Sequence, residues 1–220
     1  MPTVPLPPRT RLLYLAPAFM VFLSLFLNRN KPYLDTKPIL YASATISIQA
    51  PGSTVWTTFS NTTTWREWNP WCRNAYLIHP TGVEEGARGL MRVGSSLRFD
   101  VWMHTRFNDA PWHFSQEGKD IITAVEVPAK VGSGKKVWRA EWFDESSPDW
   151  LLRCRRESTI EEVEGEGVKE SVFTTTAQFY GPFAWPVSAI IGEGMQRDLE
   201  AMAGGLRGFV EGKGGHDGPL

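Results

Sequence analysis

The 220-residue chain is poor in several features that mark particular classes of protein. Its two cysteines, Cys72 and Cys154, are too few for a small secreted fold stapled by disulfides, so a reducing compartment is expected. Neither lies in a CxxC motif or beside a histidine; both are read as half-buried thiols, with a single bridge between them left open. His79, His104 and His113 lack metal-ligand spacing, which argues against a zinc site. There is no GxGxxG, no P-loop and no GxSxG elbow, and Gly86-Ala87-Arg88-Gly89 does not open a helix. A phosphate cradle and an α/β-hydrolase are thereby excluded, and no metal or other cofactor is expected. The formal net charge of −1 removes the electrostatic signature of a nucleic-acid binder. No feature speaks to the oligomeric state.

What is present is a globular composition, 42% hydrophobic and 21% charged, with ten tryptophans. The length predicts one domain, or one domain with an appendage. The near-neutral total hides an asymmetry: residues 1–40 carry a net charge of +4 and the remainder −5. Within the basic front piece, residues 12–27 read LLYLAPAFMVFLSLFL, and no charge falls between Arg11 and Arg29. As a helix, residues 12–28 span about 25 Å, a little short of a bilayer core of about 30 Å and closer to the thinner endoplasmic-reticulum membrane. The flanking arginines and Lys31 can snorkel to make up part of the difference. An uncleaved single-pass anchor is expected. A secretory signal peptide is the alternative, although Asn28-Arg29-Asn30-Lys31 offers no small-x-small cleavage site. The positive-inside rule, with Arg29, Lys31 and Lys37 after the segment, places the body in the cytosol on an endomembrane. Glycosylation of the acceptor Asn61-Thr62-Thr63 would contradict that placement.

The body changes period. Ala44, Ile46, Ile48 and Ala50 alternate with Thr45, Ser47 and Gln49, a half-buried strand ended by Pro51-Gly52. Ser53 is the expected N-cap of a short helix carrying Val55, Trp56 and Phe59, and residues 61–71 read as a second helical or turn segment. Further strands are expected near 72–79, 89–93, 97–105, 119–127, 137–143, 151–163 and 169–180. After Gly181-Pro182 the period becomes helical: Phe183, Val187, Ile190 or Ile191, Met195, Leu199, Met202, Leu206 and Phe209 recur at three- and four-residue steps. Arg197, Asp198, Glu200 and Arg207 are placed mainly on the other side. The fold class is therefore α+β, a bent antiparallel sheet of six to seven strands around a long C-terminal helix, with the membrane-type helix in front. The expected organisation is a flexible 1–11, an anchor at 12–28, a tether at 29–40, the domain at 41–211 and a flexible tail at 212–220.

The residues Ala50-Pro51, Val55-Trp56 and Trp68-Asn69-Pro70, with Phe179-Tyr180-Gly181 before the long helix, carry a resemblance. The chain resembles the START-like helix-grip superfamily, which includes polyketide cyclases/dehydrases, Bet v 1-type proteins and coenzyme-Q-binding proteins. Pro70-Trp71-Cys72 is similar to the Pro-Trp-Cys of the last group. The resemblance spans about residues 41–211, and its motifs are structural. It implies a hydrophobic small molecule enclosed between sheet and helix.

Chemistry is sought on the inner face. Arg155 and Arg156 must face opposite sides of their strand, and Arg156 shares parity with Leu152, Cys154, Ser158 and Ile160. Arg156 is the candidate catalytic residue, able to stabilise an enolate or anchor a carbonyl oxygen, and an ion pair with a neighbouring element is the plainer reading. Trp138 and Trp142, with Phe99 and Phe173, form a candidate aromatic wall, although core packing alone accounts for them as well. Trp68, Trp71, Gln178 and Met195 complete the candidate ligand-binding set, with Trp68 expected in the core and a neighbour near the rim. Tyr180 and Asp100 are further candidates, and the carboxylates from Glu161 to Glu166 read as a solvated turn. The leading expectation is a membrane-tethered domain with polyketide cyclase/dehydratase-like activity. The alternative is a non-enzymatic carrier of a lipid, sterol or quinone, and a scaffold with a collapsed cavity is a third class.

Overall fold

β-Branched residues on alternate positions, interrupted by Gly and Pro, dictate a run of strands flanked by helices. The computed structural model of the chain describes residues 37–78, 89–105, 108–128, 136–144, 147–163 and 169–213. In order, these form β1 (Leu40–Ile48), α1 (Gly52–Ser60), a 3-10 turn (Thr62–Thr64), α2 (Trp65–Trp68), β2 (Cys72–Ile78), β3 (Ser96–Thr105), β4 (Asn108–Glu126), β5 (Val137–Asp144), β6 (Arg153–Val163), β7 (Glu170–Tyr180) and α3 (Ala184–Val210). The strands make one seven-stranded antiparallel sheet in the order β1-β7-β6-β5-β4-β3-β2.

The two halves of the sheet differ. Along β1, β7 and β6 the ladders run without interruption, from Leu40 opposite Phe179 to Val163 opposite Glu170. Among β2 to β5 the register shifts at Cys72/Asn74, Leu97/Phe99, Met103/Thr105 and Ile122/Ala124. Such bulges bend a strand and increase its twist. The bend brings β3 back to the helix that also borders β1. Gln196 of α3 exchanges two hydrogen bonds with the Ser43 backbone on the β1 edge, at 3.1 and 2.8 Å. Two residues on, Asp198 bonds His104 at the end of β3. One helix thus ties two strands from opposite sides of the sheet and shields the free edge of β1.

α3 presents Ile191, Met195, Leu199, Met202 and Leu206 to the sheet, all buried. The choice between Ile190 and Ile191 falls to Ile191, Ile190 being exposed. Gly181 makes the turn into the helix at φ +91°, with the Leu151 carbonyl 2.6 Å from where a Cβ would stand. No other residue fits there.

Several expectations are corrected. Residues 89–93 do not form a strand; Leu90 makes an isolated bridge to Asn61. β4 begins at Asn108, well before the expected 119. Ser53 does not cap α1, whose first residue is Gly52 and whose N-cap position is Pro51. The orphan N–H of Gly52 is met at 3.0 Å by Glu162, which also pairs with Lys136, so this member of the acidic run is a structural ligand of the helix start. Asp198, expected on the outer side of the helix, is buried.

The expected N-terminal membrane-type helix is also corrected. Among the described residues no helix is long and apolar enough to cross a membrane. A crossing needs about 20 consecutive apolar residues, and α3 carries Glu193, Arg197, Asp198, Glu200 and Arg207. Residues 12–28 lie outside the described residues. The single-pass arrangement, the membrane as partner and the endomembrane placement are withdrawn with the anchor. The signal-peptide alternative falls on the same undescribed residues.

Candidate functional site

The inner face of the sheet holds two groups of side chains. The first lies under α1. Phe59 of that helix packs against Phe173, Trp65 and Trp142, with ring centroids 5.4, 6.0 and 6.5 Å apart. Trp138 fills the space against Gly52, where an added Cβ would stand 2.2 Å from its ring. Three of the four side chains of the candidate wall, Trp138, Trp142 and Phe173, therefore meet α1. Trp65, Trp68 and Trp71 are all buried, so none of the three stands at a rim as expected.

The second group surrounds Arg156. Cys154, Arg156, Ser158 and Ile160 alternate with half-buried neighbours along β6, and all four point inward. The Arg156 guanidinium lies 4.0 Å above the Trp71 ring, and one of its nitrogens contacts the Met195 sulfur at 3.5 Å. This is a cation–π contact on one side and a poor acceptor on the other. It makes no ion pair with any described residue, although it is only 7% exposed. Arg156, Trp71 and Met195 thus come together; Phe99, also buried, belongs to the same inner face on β3. Gln178 does not join them. It pairs in register with Arg155 on the opposite face and accepts a hydrogen bond from Tyr180 at 2.5 Å.

Electrostatics set the character of this second group. Burial pushes the Cys154 thiol up to about 12, against the pull of Arg156. Cys72 is driven up further for the same reason. Both thiols are neutral at physiological pH, and neither is an activated nucleophile. Asp120 of β4, buried, is raised to about 7 by burial and by the charge of Asp144 opposite it in register, with Arg156 opposing the shift. Asp198 is raised by burial, although it accepts from the His104 backbone at 3.1 Å and contacts His104 Nδ1 at 2.5 Å. Among the described residues no set of three His, Cys, Asp or Glu groups could hold a metal ion.

Sequence reasoning missed Asp120 and Asp198. Asp198 follows Met195 by three residues and precedes Met202 by four, which puts it on the apolar stripe. Asp120 shares strand parity with Ile122, a signal already present within the expected strand 119–127. The outer face is different in kind. There Arg139 bonds Glu157, Glu126 and Glu141, and Arg155 bonds Glu141. Its carboxylates and guanidiniums pair with one another, although the Nε atoms of Arg153 and Arg155 are buried without a partner.

A curved antiparallel sheet holding one long C-terminal helix against its inner face is the helix-grip fold of the START/Bet v 1 type. A hypothetical protein of Helicobacter pylori superposes on the chain with a TM-score of 0.57 at 10% identity, covering 81% of this chain and 92% of that one. This likeness concerns the fold alone. A START superfamily protein of Mycobacterium smegmatis gives a TM-score of 0.48 at 19% identity, over 79% of this chain and 99% of that one. In sequence, the oxopyrrolidines biosynthesis cluster protein O of Penicillium oxalicum is 26% identical over 182 residues, 79% of this chain and 87% of that protein. No family model matches. A specific kinship with the polyketide cyclases/dehydrases is not shown.

Proposed function

We propose that the domain encloses a hydrophobic small molecule between the sheet and α3 and carries it without transforming it. The expected membrane-tethered cyclase/dehydratase is set aside: no membrane-crossing helix is found among the described residues, and the fold supports the carrier alternative better. The observation that carries this reading is the inner face itself, where, among the described residues, apolar side chains surround the Arg156 guanidinium, the Asp120 and Asp198 carboxylates and two thiols held neutral. Apolar walls with few polar groups are the usual lining of small-molecule sites. The Penicillium relative is named for an oxopyrrolidines biosynthesis cluster, which favours a metabolite over a bulk membrane lipid as cargo.

Native mass spectrometry of the full chain, followed by solvent extraction, tests the proposal. One hydrophobic molecule per chain is the expected result. Empty protein that also leaves the fluorescence of 1-anilinonaphthalene-8-sulfonate unchanged would count against it.

A further inference from the structure

In the segment from Asn69 to Cys72 two side-chain donors are buried without an acceptor. Asn69 Oδ1 accepts from the Trp71 and Cys72 backbone N–H groups at 3.2 and 3.0 Å. Those two bonds orient the amide, since a flip would set donor against donor. Its Nδ2 is left buried with no acceptor. The indole Nε1 of Trp71 is likewise buried and unpartnered. Above the same indole ring lies Arg156, 7% exposed, with a methionine sulfur as the hydrogen-bond acceptor given to its Nη2. Native proteins leave few buried donors unpaired, because each keeps its desolvation cost. Two such donors beside a buried guanidinium call for an oxygen-bearing group.

Resting on the carrier reading above, we propose that Arg156, Trp71 and Asn69 form an anion-binding subsite for the polar end of the ligand, and that the ligand is an organic acid, a carboxylate or an acidic enol. Arg156 supplies the charge, while the indole and amide N–H groups supply direction. A guanidinium in a desolvated setting binds an anionic oxygen more strongly than a neutral one. Of the two buried carboxylates that feel Arg156, Asp120 is kept partly protonated by burial and Asp144, and Asp198 is hydrogen-bonded to His104, so neither cancels that charge in full. The apolar remainder of the ligand extends over Met195 and Phe99.

Binding of dodecanoic and hexadecanoic acids to the full chain, compared with their methyl esters by isothermal titration calorimetry, tests this. The acids should bind at least tenfold more tightly than the esters. Trp71→Phe keeps an aromatic face but removes the indole N–H; it should weaken acid binding about three- to tenfold more than ester binding. Arg156→Met should abolish the preference, with circular dichroism confirming the fold. Equal affinity of acid and ester for the unmodified chain, or a preference that survives in both variants, overturns the subsite while leaving the carrier reading intact. Failure of both probes to bind, together with empty native protein, overturns both.

Discussion

Three glycines of α3 allow the helix placement to be tested by one chemical change made three times. Adding a methyl group at Gly194 would put Cβ 1.8 Å from the carbonyl oxygen of His104, and at Gly205 it would stand 1.9 Å from that of Trp68. At Gly204 nothing lies within 4 Å. In the first two cases the obstacle is backbone, which cannot rotate away. The helix would have to retreat by roughly 1.5 Å to restore an ordinary contact, against the packing of its whole buried stripe. Overpacking of this kind costs about 1–3 kcal/mol, and rigid obstacles place it at the upper end. Each Gly→Ala change also gains about 0.8–1 kcal/mol of helix propensity. The net expectation is a loss of about 2 kcal/mol for Gly194→Ala and Gly205→Ala and a gain of about 0.8–1 kcal/mol for Gly204→Ala. At about 2–4 °C per kcal/mol for a domain of this size, the melting temperatures should separate by about 6–12 °C. Thermal melts followed by circular dichroism read this directly. If Gly194→Ala matched Gly204→Ala, α3 would not lie against β3 as described.

Two further predictions concern buried titratable groups. The raised Asp120 holds its proton more tightly when folded than unfolded, so unfolding releases a proton between about pH 4 and 7. Its contribution to stability therefore falls as pH rises through that window, by at most about 4 kcal/mol. Asp120→Asn removes the titration: urea melts should show a gain over the unmodified chain above pH 7 that shrinks to nothing near pH 4, and a gain independent of pH would refute the assignment. Cys72 and Cys154 are buried and in no disulfide, and at pH 8 a thiol titrating near 12, as Cys154 does, is thiolate to roughly one part in 10⁴. Ellman's reagent should find neither in the native protein and both after denaturation; a fast native reaction, or a missing thiol in denaturant, would contradict the structure.

Much of the fold was legible because strand parity and helical periodicity are properties of local backbone geometry. The alternation Cys154, Arg156, Ser158, Ile160 can be read from seven consecutive positions, and it is the face that β6 buries. The long helix and its stripe were equally plain, and the turn at Gly181 marked its start. Errors arose where an element depends on a distant partner. Ser53 satisfied the local rule for an N-cap, but the acceptor for the Gly52 N–H comes from Glu162, more than a hundred residues away. Residues 89–93 had strand character, but among the described residues they pair only through the isolated bridge of Leu90 to Asn61. The tryptophans around Trp68 gave no hint of which would be covered, since that depends on where α1 and α3 settle.

The candidate site divides in the same way. By itself the sequence determined that Arg156 and Arg155 face opposite sides, because side chains alternate along any strand. Only the tertiary structure decided that Arg155 meets Glu141 whereas Arg156 meets Trp71 and a methionine sulfur. It also decided that Gln178 lies on the far face and that Asp120 is buried beside Asp144. Parity is set by neighbouring peptide units, so it can be read in one dimension. Whether a buried donor or carboxylate finds a partner depends on strands brought side by side by bulges, sheet curvature and one long helix, and on the water they exclude.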